Sequence, residues 1–212
     1  MAQFSGKSVL ITGASGGLGQ QLAVDFAREG AKVALNYLNS WKMAEETASR
    51  IEAEGGEAIT CRANISSASE VAAMVDRVVA EHGGVDVLIN NAGLSLDAPF
   101  LELSEDAWDS VVAVNLKGPF LVSQAVGHHM VAAKCGRIVN ISATSALQAR
   151  VGNANYAASK AGLNMLTQCS AWQLNLVRML TSTLLLWGSW TAIWFVGCFQ
   201  LMKLHKLKPT FH

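Results

Sequence analysis

The sequence predicts an α/β domain built on a doubly wound parallel sheet over residues 1–170, followed by a tail of different character over 171–212. Three observations carry this. Five short apolar runs recur along the chain, amphipathic stretches of helical length separate them, and a glycine-rich turn follows the first run directly.

The runs at 8–12, 32–37, 58–62, 85–90 and 136–141 are each continuously apolar rather than alternating, as strands covered on both faces require. Helices are expected at 17–29, 40–54, 67–82 and 155–175, with an irregular pair across 105–133. Gly30, Gly55 and Gly83 stand where these helices need a left-handed cap, and Ser67 (with Glu70) and Ser104 stand at N-cap positions. Repeated strand–helix–strand units imply right-handed crossovers and one parallel sheet. A chain of 212 residues is long enough for one such domain and short for two.

Composition excludes several partners. Sixteen basic residues balance sixteen acidic ones, so no global field draws the chain to nucleic acid. The four cysteines lack zinc-ligand spacing, and the five histidines have no acidic partner at ligand spacing, so no metal is expected. The thiols read as reduced and mostly buried. The N-terminus enters the first strand without a secretory pattern, which places the protein in the cytoplasm by default.

Thr12-Gly13-Ala14-Ser15-Gly16-Gly17-Leu18-Gly19 leaves the first strand and opens the first helix. Small residues let backbone N–H groups approach a pyrophosphate, and the helix N-terminus adds donors and a favourable dipole. Gly13, Ser15, Gly17, Leu18 and Gly19 are therefore expected to bind a dinucleotide in a Rossmann-type fold. At the end of the second strand, Asn36-Tyr37-Leu38-Asn39 offers no carboxylate for the ribose hydroxyls of NAD, which favours NADP(H) over NAD(H). No arginine stands in that stretch, and Gly16 replaces a possible phosphate-binding cation.

Tyr156 and Lys160 are four residues apart on an expected helix and so share a face. A free phenol, with a pKa of about 10, is a poor acid–base group at neutral pH, and a nearby ammonium would favour its ionised form. Ser142 is expected just past the fifth strand, at the carboxyl end where open α/β sheets place ligands. Asn115, on the preceding helix, could hold a water or a backbone group in a proton path to Lys160.

Together TGASGGLG, Asn90-Asn91-Ala92-Gly93, Asn115, Ser142 and the Tyr156–Lys160 pair resemble the short-chain dehydrogenase/reductase family over residues 5 to about 170. The resemblance implies hydride transfer between a nicotinamide cofactor and a small carbonyl or secondary alcohol. In it, Tyr156 is the general acid or base and Lys160 binds the nicotinamide ribose while lowering the tyrosine pKa. Ser142 orients the carbonyl, and Asn115 supports the relay. It also sets Asn64 and Ile65 beside the adenine and Asn91, Ala92 and Gly93 along the cofactor. GNANYAASKAGL and NLKGPFLVSQAV look most like the 3-oxoacyl-[acyl-carrier-protein] reductase branch, whose substrates are acyl thioesters. The family forms homo-oligomers partly through its last elements.

Those last elements are not recognisable here. From Trp172 onward the family's next strand, Ile-Arg-Val-Asn-x-Val-x-Pro-Gly, is replaced, and the domain reads as C-terminally truncated, with a sheet that ends at strand five and a doubtful assembly surface. Two accounts of the tail compete. With permitted codons from Trp172 read one base out of register, it becomes Leu-Ala-Thr-Glu-Leu-Gly-Pro-Tyr-Val-Asn-Val-Asn-Thr-Val-Ala, which resembles the missing segment and points to a frame slip near 167–171. Alternatively the charge-free stretch 179–202 is a membrane anchor, although its Thr, Ser and Gly content argues against a membrane role. The corresponding functional alternatives to an active reductase are an inactive remnant that at most binds nucleotide, and a membrane-anchored variant.

Overall fold

In the computed structural model, residues 2–148, 150–174 and 180–187 are described. Strands β1 (Ser8–Ile11), β2 (Lys32–Tyr37), β3 (Glu57–Arg62), β4 (Val87–Asn90), β5 (Gly136–Ala143) and β6 (Leu180–Trp187) form one sheet in the order β3-β2-β1-β4-β5-β6. Every pairing is parallel. The helices are α1 (Gly17–Arg28), α2 (Trp41–Ala53), α3 (Ala68–His82), α4 (Glu105–Val112), α5 (Gly118–Ala133) and α6 (Ala154–Leu174).

Side-chain alternation divides each strand between two cores. Val9, Ile11, Val33, Leu35, Val87 and Ile89 pack with Ala23, Val24 and Phe26 of α1 and Ala48 and Ile51 of α2. Leu10, Ala34, Leu88 and Ile138 pack on the other face, with Val71, Met74 and Val78 of α3 and Val122, Val126 and Met130 of α5. A strand covered on both faces has no polar side, which explains the continuous apolar runs.

Strand order reverses between β1 and β4, so the segments leaving their carboxyl ends diverge and leave a crevice between them. The residues after β1 and after β4 therefore meet at the natural ligand position of this topology. Helix caps follow the sequence closely. Gly30, Gly55 and Gly83 adopt positive φ, and Ser104 Oγ accepts from Ala107 N. Ser67 Oγ accepts from Glu70 N, but the Glu70 carboxylate accepts from Asn64 N instead of closing a reciprocal box with Ser67.

Three expectations need correction. Ser142 lies within β5, which runs two residues further than the apolar run suggested. The sheet also does not stop at five strands, because Leu180–Trp187 pairs with β5 from Gly136↔Leu180 to Ala143↔Trp187. Its run of leucine and threonine ending in tryptophan is compatible with a strand beside β5. The rest of the candidate anchor 179–202 lies outside the described residues, and no helix among the described residues is long and apolar enough to cross a membrane. The thiols also differ from expectation: Cys61 is buried, whereas Cys135 is intermediate and Cys169 exposed.

Buried amides tie β4, β5 and α6 together. Asn90 Nδ2 donates to Asn140 Oδ1 (2.8 Å) and to Ser123 Oγ (2.9 Å), and Asn140 Nδ2 donates to Thr167 Oγ1 (2.9 Å). Asn140→Ala removes the shared partner and leaves Asn90 Nδ2 and Thr167 Oγ1 each one hydrogen bond short, so it is expected to destabilise by about 1–3 kcal/mol. Thermal unfolding by circular dichroism checks this, at roughly 2–4 °C of Tm per kcal/mol for a chain of this size; an unchanged Tm would mean the network is dispensable.

Candidate active site

The glycine turn is clasped to the segment after β4. Thr12 Oγ1 accepts from Asn91 N (3.0 Å) and Ala92 N (3.1 Å), while Asn91 Nδ2 donates to the carbonyls of Thr12 and Gly13 at 3.0 Å each. This packing explains two of the glycines. Gly13 has φ 63°, and a Cβ there would sit 2.8 Å from Ala92 Cα. At Gly19 a Cβ would sit 2.5 Å from both Asn91 Nδ2 and Gly13 O. A side chain at either position would break the clasp. By contrast, a Cβ at Gly17 would meet nothing within 4 Å, so the outer side of the turn faces open space where a pyrophosphate could approach the backbone. Ser15 is partly accessible on this turn, and Leu18 packs back onto the core.

A residue not assigned a role from sequence holds the turn from behind. Asn36, 2% exposed and next to last in β2, accepts from Gly13 N through Oδ1 (3.3 Å) and donates to the carbonyls of Cys61 (3.2 Å) and Ala63 (3.1 Å). A lone amide inside an otherwise apolar strand was the available signal.

At the other end of the crevice, helices α4 and α5 run together through a π turn over Ala113–Lys117 that contains Asn115. The expected irregularity is this single wide turn, a feature often found at functional positions. Asn115 is fully buried. Its Oδ1 accepts from Leu94 N (2.8 Å), and its Nδ2 donates to Leu94 O (2.9 Å) and Ser159 Oγ (3.1 Å). Asn115 therefore holds backbone, as one of its two expected options required, and joins the segment after β4 to α6.

Helix α6 brings Tyr156 and Lys160 to the same place. Lys160 Nζ lies 5.7 Å from the centroid of the Tyr156 ring and donates to Ile141 O at 2.8 Å. A Cβ at Gly93 would lie 3.6 Å from Asn115 Oδ1 and 3.9 Å from Lys160 Nζ, so the bare backbone of Gly93 leaves room between them. Ser142, 1% exposed, donates to Asn164 Oδ1 at 2.6 Å.

The electrostatics depart from the sequence expectation. Burial, and then the Asp97 carboxylate, hold the Tyr156 phenol above its ordinary value rather than below it. Lys160 lies over the Tyr156 ring and gives one of its three N–H donors to Ile141 O. Burial pushes the Lys160 ammonium down from 10.5 to about 8.

Tyr37, Leu38, Asn39, Trp41 and Arg62 line a cleft beside the end of β2. The arginine absent from the β2 stretch is supplied by the neighbouring strand, with Arg62 Nε donating to Leu38 O at 3.3 Å. Asn64 Oδ1 accepts from Ser66 N (3.0 Å), which fixes the turn after β3. The Ile65 side chain is buried against α5, where a Cβ at Gly118 would lie 2.6 Å from its Cδ1, so only its backbone could face a nucleotide.

Comparison with known proteins agrees with this geometry. The short chain dehydrogenase family matches residues 7–179. The 3-oxoacyl-[acyl-carrier-protein] reductase FabG of Staphylococcus aureus is 40% identical over 168 residues, covering 79% of this chain and 68% of that protein. The 3-oxoacyl-[acyl-carrier-protein] reductase of Synechocystis is 37% identical over 174 residues, covering 82% and 70%. Among solved structures, a metagenomic short-chain oxidoreductase in complex with NADP superposes with a TM-score of 0.84 at 36% identity, over 88% of this chain and 84% of that one. A dehydrogenase/reductase from Sinorhizobium meliloti gives 0.81 at 35% identity, over 86% and 72%.

Fold and site thus define an oxidoreductase of the kind that works with a nicotinamide cofactor. The chain belongs to the short chain dehydrogenase family.

Burying Lys160 carries a stability consequence. Its folded-state pKa lies below its unfolded value, so the unfolded chain binds the extra proton between about pH 8 and 10.5, and stability rises with pH across that window. Lys160→Met removes the buried charge at the expense of one hydrogen bond, and is expected to stabilise the fold at pH 7 by about 1–3 kcal/mol. Thermal melts from pH 7 to 10.5 check this: the variant should start with the higher Tm and lose its lead as pH rises, and a lower Tm at pH 7 would contradict the account.

Proposed function

We propose that this chain is an NADPH-dependent reductase of carbonyl compounds, with 3-oxoacyl thioesters as the substrate class. The observation that carries the reading is the meeting of Tyr156 and Lys160 near the carboxyl end of β5, with Lys160 Nζ over the Tyr156 ring and donating to Ile141 O. The likeness to 3-oxoacyl-[acyl-carrier-protein] reductases supports the substrate class.

The residues present fit a dinucleotide, since the turn over 13–19 leaves backbone open at Gly17 and Gly93 leaves room beside Lys160. When bound, such a cofactor supplies the hydride that adds to the carbonyl carbon. Everything else falls to the chain. Tyr156 Oη donates its proton to the carbonyl oxygen as charge develops there, so ketone becomes secondary alcohol. A phenol held above its ordinary pKa arrives protonated, as reduction requires. Lys160, released from Ile141 O, binds ribose hydroxyls and stabilises the phenolate left behind. Ser142, whose one proton is given to Asn164 Oδ1, would have to leave that partner to donate to the same oxygen. Asn115 keeps Leu94 and α6 in register around them.

The preference for NADP(H) belongs to the same proposal. The cleft beside β2 has no carboxylate among its lining residues and contains Arg62, a cation suited to a 2′-phosphate. So does the division at about residue 170. The family match ending at 179 supports that boundary, while the pairing of Leu180–Trp187 with β5 argues against excluding that segment.

Two measurements test the reading. NADPH consumption with an acetoacetyl thioester should fall about 10²–10⁴-fold in Tyr156→Phe, with NADPH affinity retained; full activity in that variant would exclude the mechanism. Arg62→Glu should weaken NADPH binding about 10–100-fold by fluorescence titration and leave NADH binding unchanged; equal effects on both cofactors would remove Arg62 from phosphate recognition.

A further inference from the structure

The Asp97 carboxylate takes no part in the steps above, yet it is fixed at the amino end of the helix that carries Tyr156. Three consecutive residues after β4 are laced to the start of α6. Asn155 Nδ2 donates to Leu96 O (2.9 Å), Asn153 Nδ2 to Asp97 Oδ1 (3.1 Å), and Ala98 N to Gly152 O (2.9 Å). Ser95 Oγ donates to the same Asp97 oxygen (2.5 Å). The fully buried Asn155 also accepts from Tyr156 N through Oδ1 (2.7 Å), so the lacing reaches the backbone of the tyrosine itself.

Helix register then brings the carboxylate to the phenol. Asn153 O accepts from Ala157 N (2.8 Å), so Asn153 heads α6 and Tyr156 follows three residues on. Side chains three apart on a helix are neighbours, about 5–6 Å apart at Cβ. An anion held by Asn153 therefore stands beside Tyr156.

Other charges surround the same turn of helix. Lys160 is pushed down to about 8, so above that pH it is neutral while the phenol has yet to ionise. The neighbouring elements carry Glu105, Asp106 and Asp109 on α4, Lys117 on the π turn and Arg150 before α6, all exposed. Of all these charges, the Asp97 carboxylate is the one that acts on the phenol, and it opposes ionisation.

We propose that Asp97 is a positioning residue, which sets a fixed negative charge beside Tyr156 and so biases the site toward giving a proton rather than taking one. Carbonyl reduction uses the protonated phenol and alcohol oxidation the phenolate, so this charge favours reduction. The role rests on the reductase reading above.

Asp97→Asn removes the charge and keeps an oxygen to accept from Asn153 and Ser95. The first readout needs neither cofactor nor turnover. The chain has two tyrosines, Tyr37 and Tyr156, so tyrosinate absorbance with Tyr156→Phe as the blank isolates the Tyr156 titration. Its midpoint should fall in Asp97→Asn. The difference from wild type should shrink in about 1 M salt, where the screening length is about 3 Å.

Turnover supplies the second readout. With NADPH and an acetoacetyl thioester at about pH 10, near the ordinary phenol pKa, reduction by Asp97→Asn should fall about two- to fivefold, the scale of one exposed charge pair. Oxidation of the 3-hydroxy product with NADP at neutral pH should rise instead. Structural damage lowers both directions, so a parallel loss would overturn the proposal. An unchanged midpoint, or a difference of the same size in high salt, would overturn it too. Should Asp97→Asn not fold, the wild-type titration decides by itself: the midpoint falls as salt is raised, and a constant midpoint overturns the proposal. Absence of turnover by the wild-type chain would overturn the reductase reading and this bias together, whereas normal turnover with no titration shift would overturn the role of Asp97 alone.

Discussion

The arrangement depends first on how helix α6 is fastened along strand β5. Three consecutive strand residues each meet a polar group of the helix: Asn140 donates to Thr167, the Ile141 carbonyl accepts from Lys160, and Ser142 donates to Asn164. A helix held by apolar packing alone could shift along its axis at little cost, whereas these bonds are buried or partly buried, and moving the helix by a turn would leave all three unmade. The register of Tyr156 against the carboxyl end of the sheet follows directly. Catalytic groups carried on rigid elements with locked rotamers can hold the narrow geometry that proton transfer needs.

The second constraint is the reversal of strand order between β1 and β4. It separates the segments that follow those strands, and the Thr12–Asn91 clasp then draws them back to a fixed distance. The glycines at 13 and 19 are consequences of that closeness more than of local flexibility, because a Cβ at either would collide with the opposite segment. Buried amides recur throughout: Asn36 behind the turn, Asn115 in the π turn, and Asn90 and Asn140 under α6. Asn36 and Asn115 use both ends of the carboxamide, and Asn90 donates to Asn140, which donates onward to Thr167, as suits neutral side chains at interior positions where a charge would be costly.

Much of this was legible in the sequence because it is local. Apolar runs covered on both faces, glycine caps, the turn at 12–19 and the i,i+4 pair on α6 each report a short-range requirement, and all five expected strands formed. What stayed hidden depends on which strands become neighbours. Arg62 ends β3 and reaches the cleft beside β2 only because those strands pair, so a search for a cation within the β2 stretch missed it. The sixth strand escaped notice since its composition reads equally as apolar tail, and pairing with β5 is what identifies it. Burial, too, is a tertiary property. It holds Tyr156 above its ordinary pKa, where the i,i+4 spacing alone had suggested a depression.

Hydrogen–deuterium exchange with and without NADPH tests the central claim, that the crevice between the β1 and β4 segments is a nicotinamide-dinucleotide site facing the catalytic helix. Protection on adding NADPH is expected in backbone amides of residues 13–20, 91–94 and 140–145, with the amino ends of the strands unchanged. An exchange pattern identical with and without NADPH, or protection confined to the opposite edge of the sheet, would contradict the account.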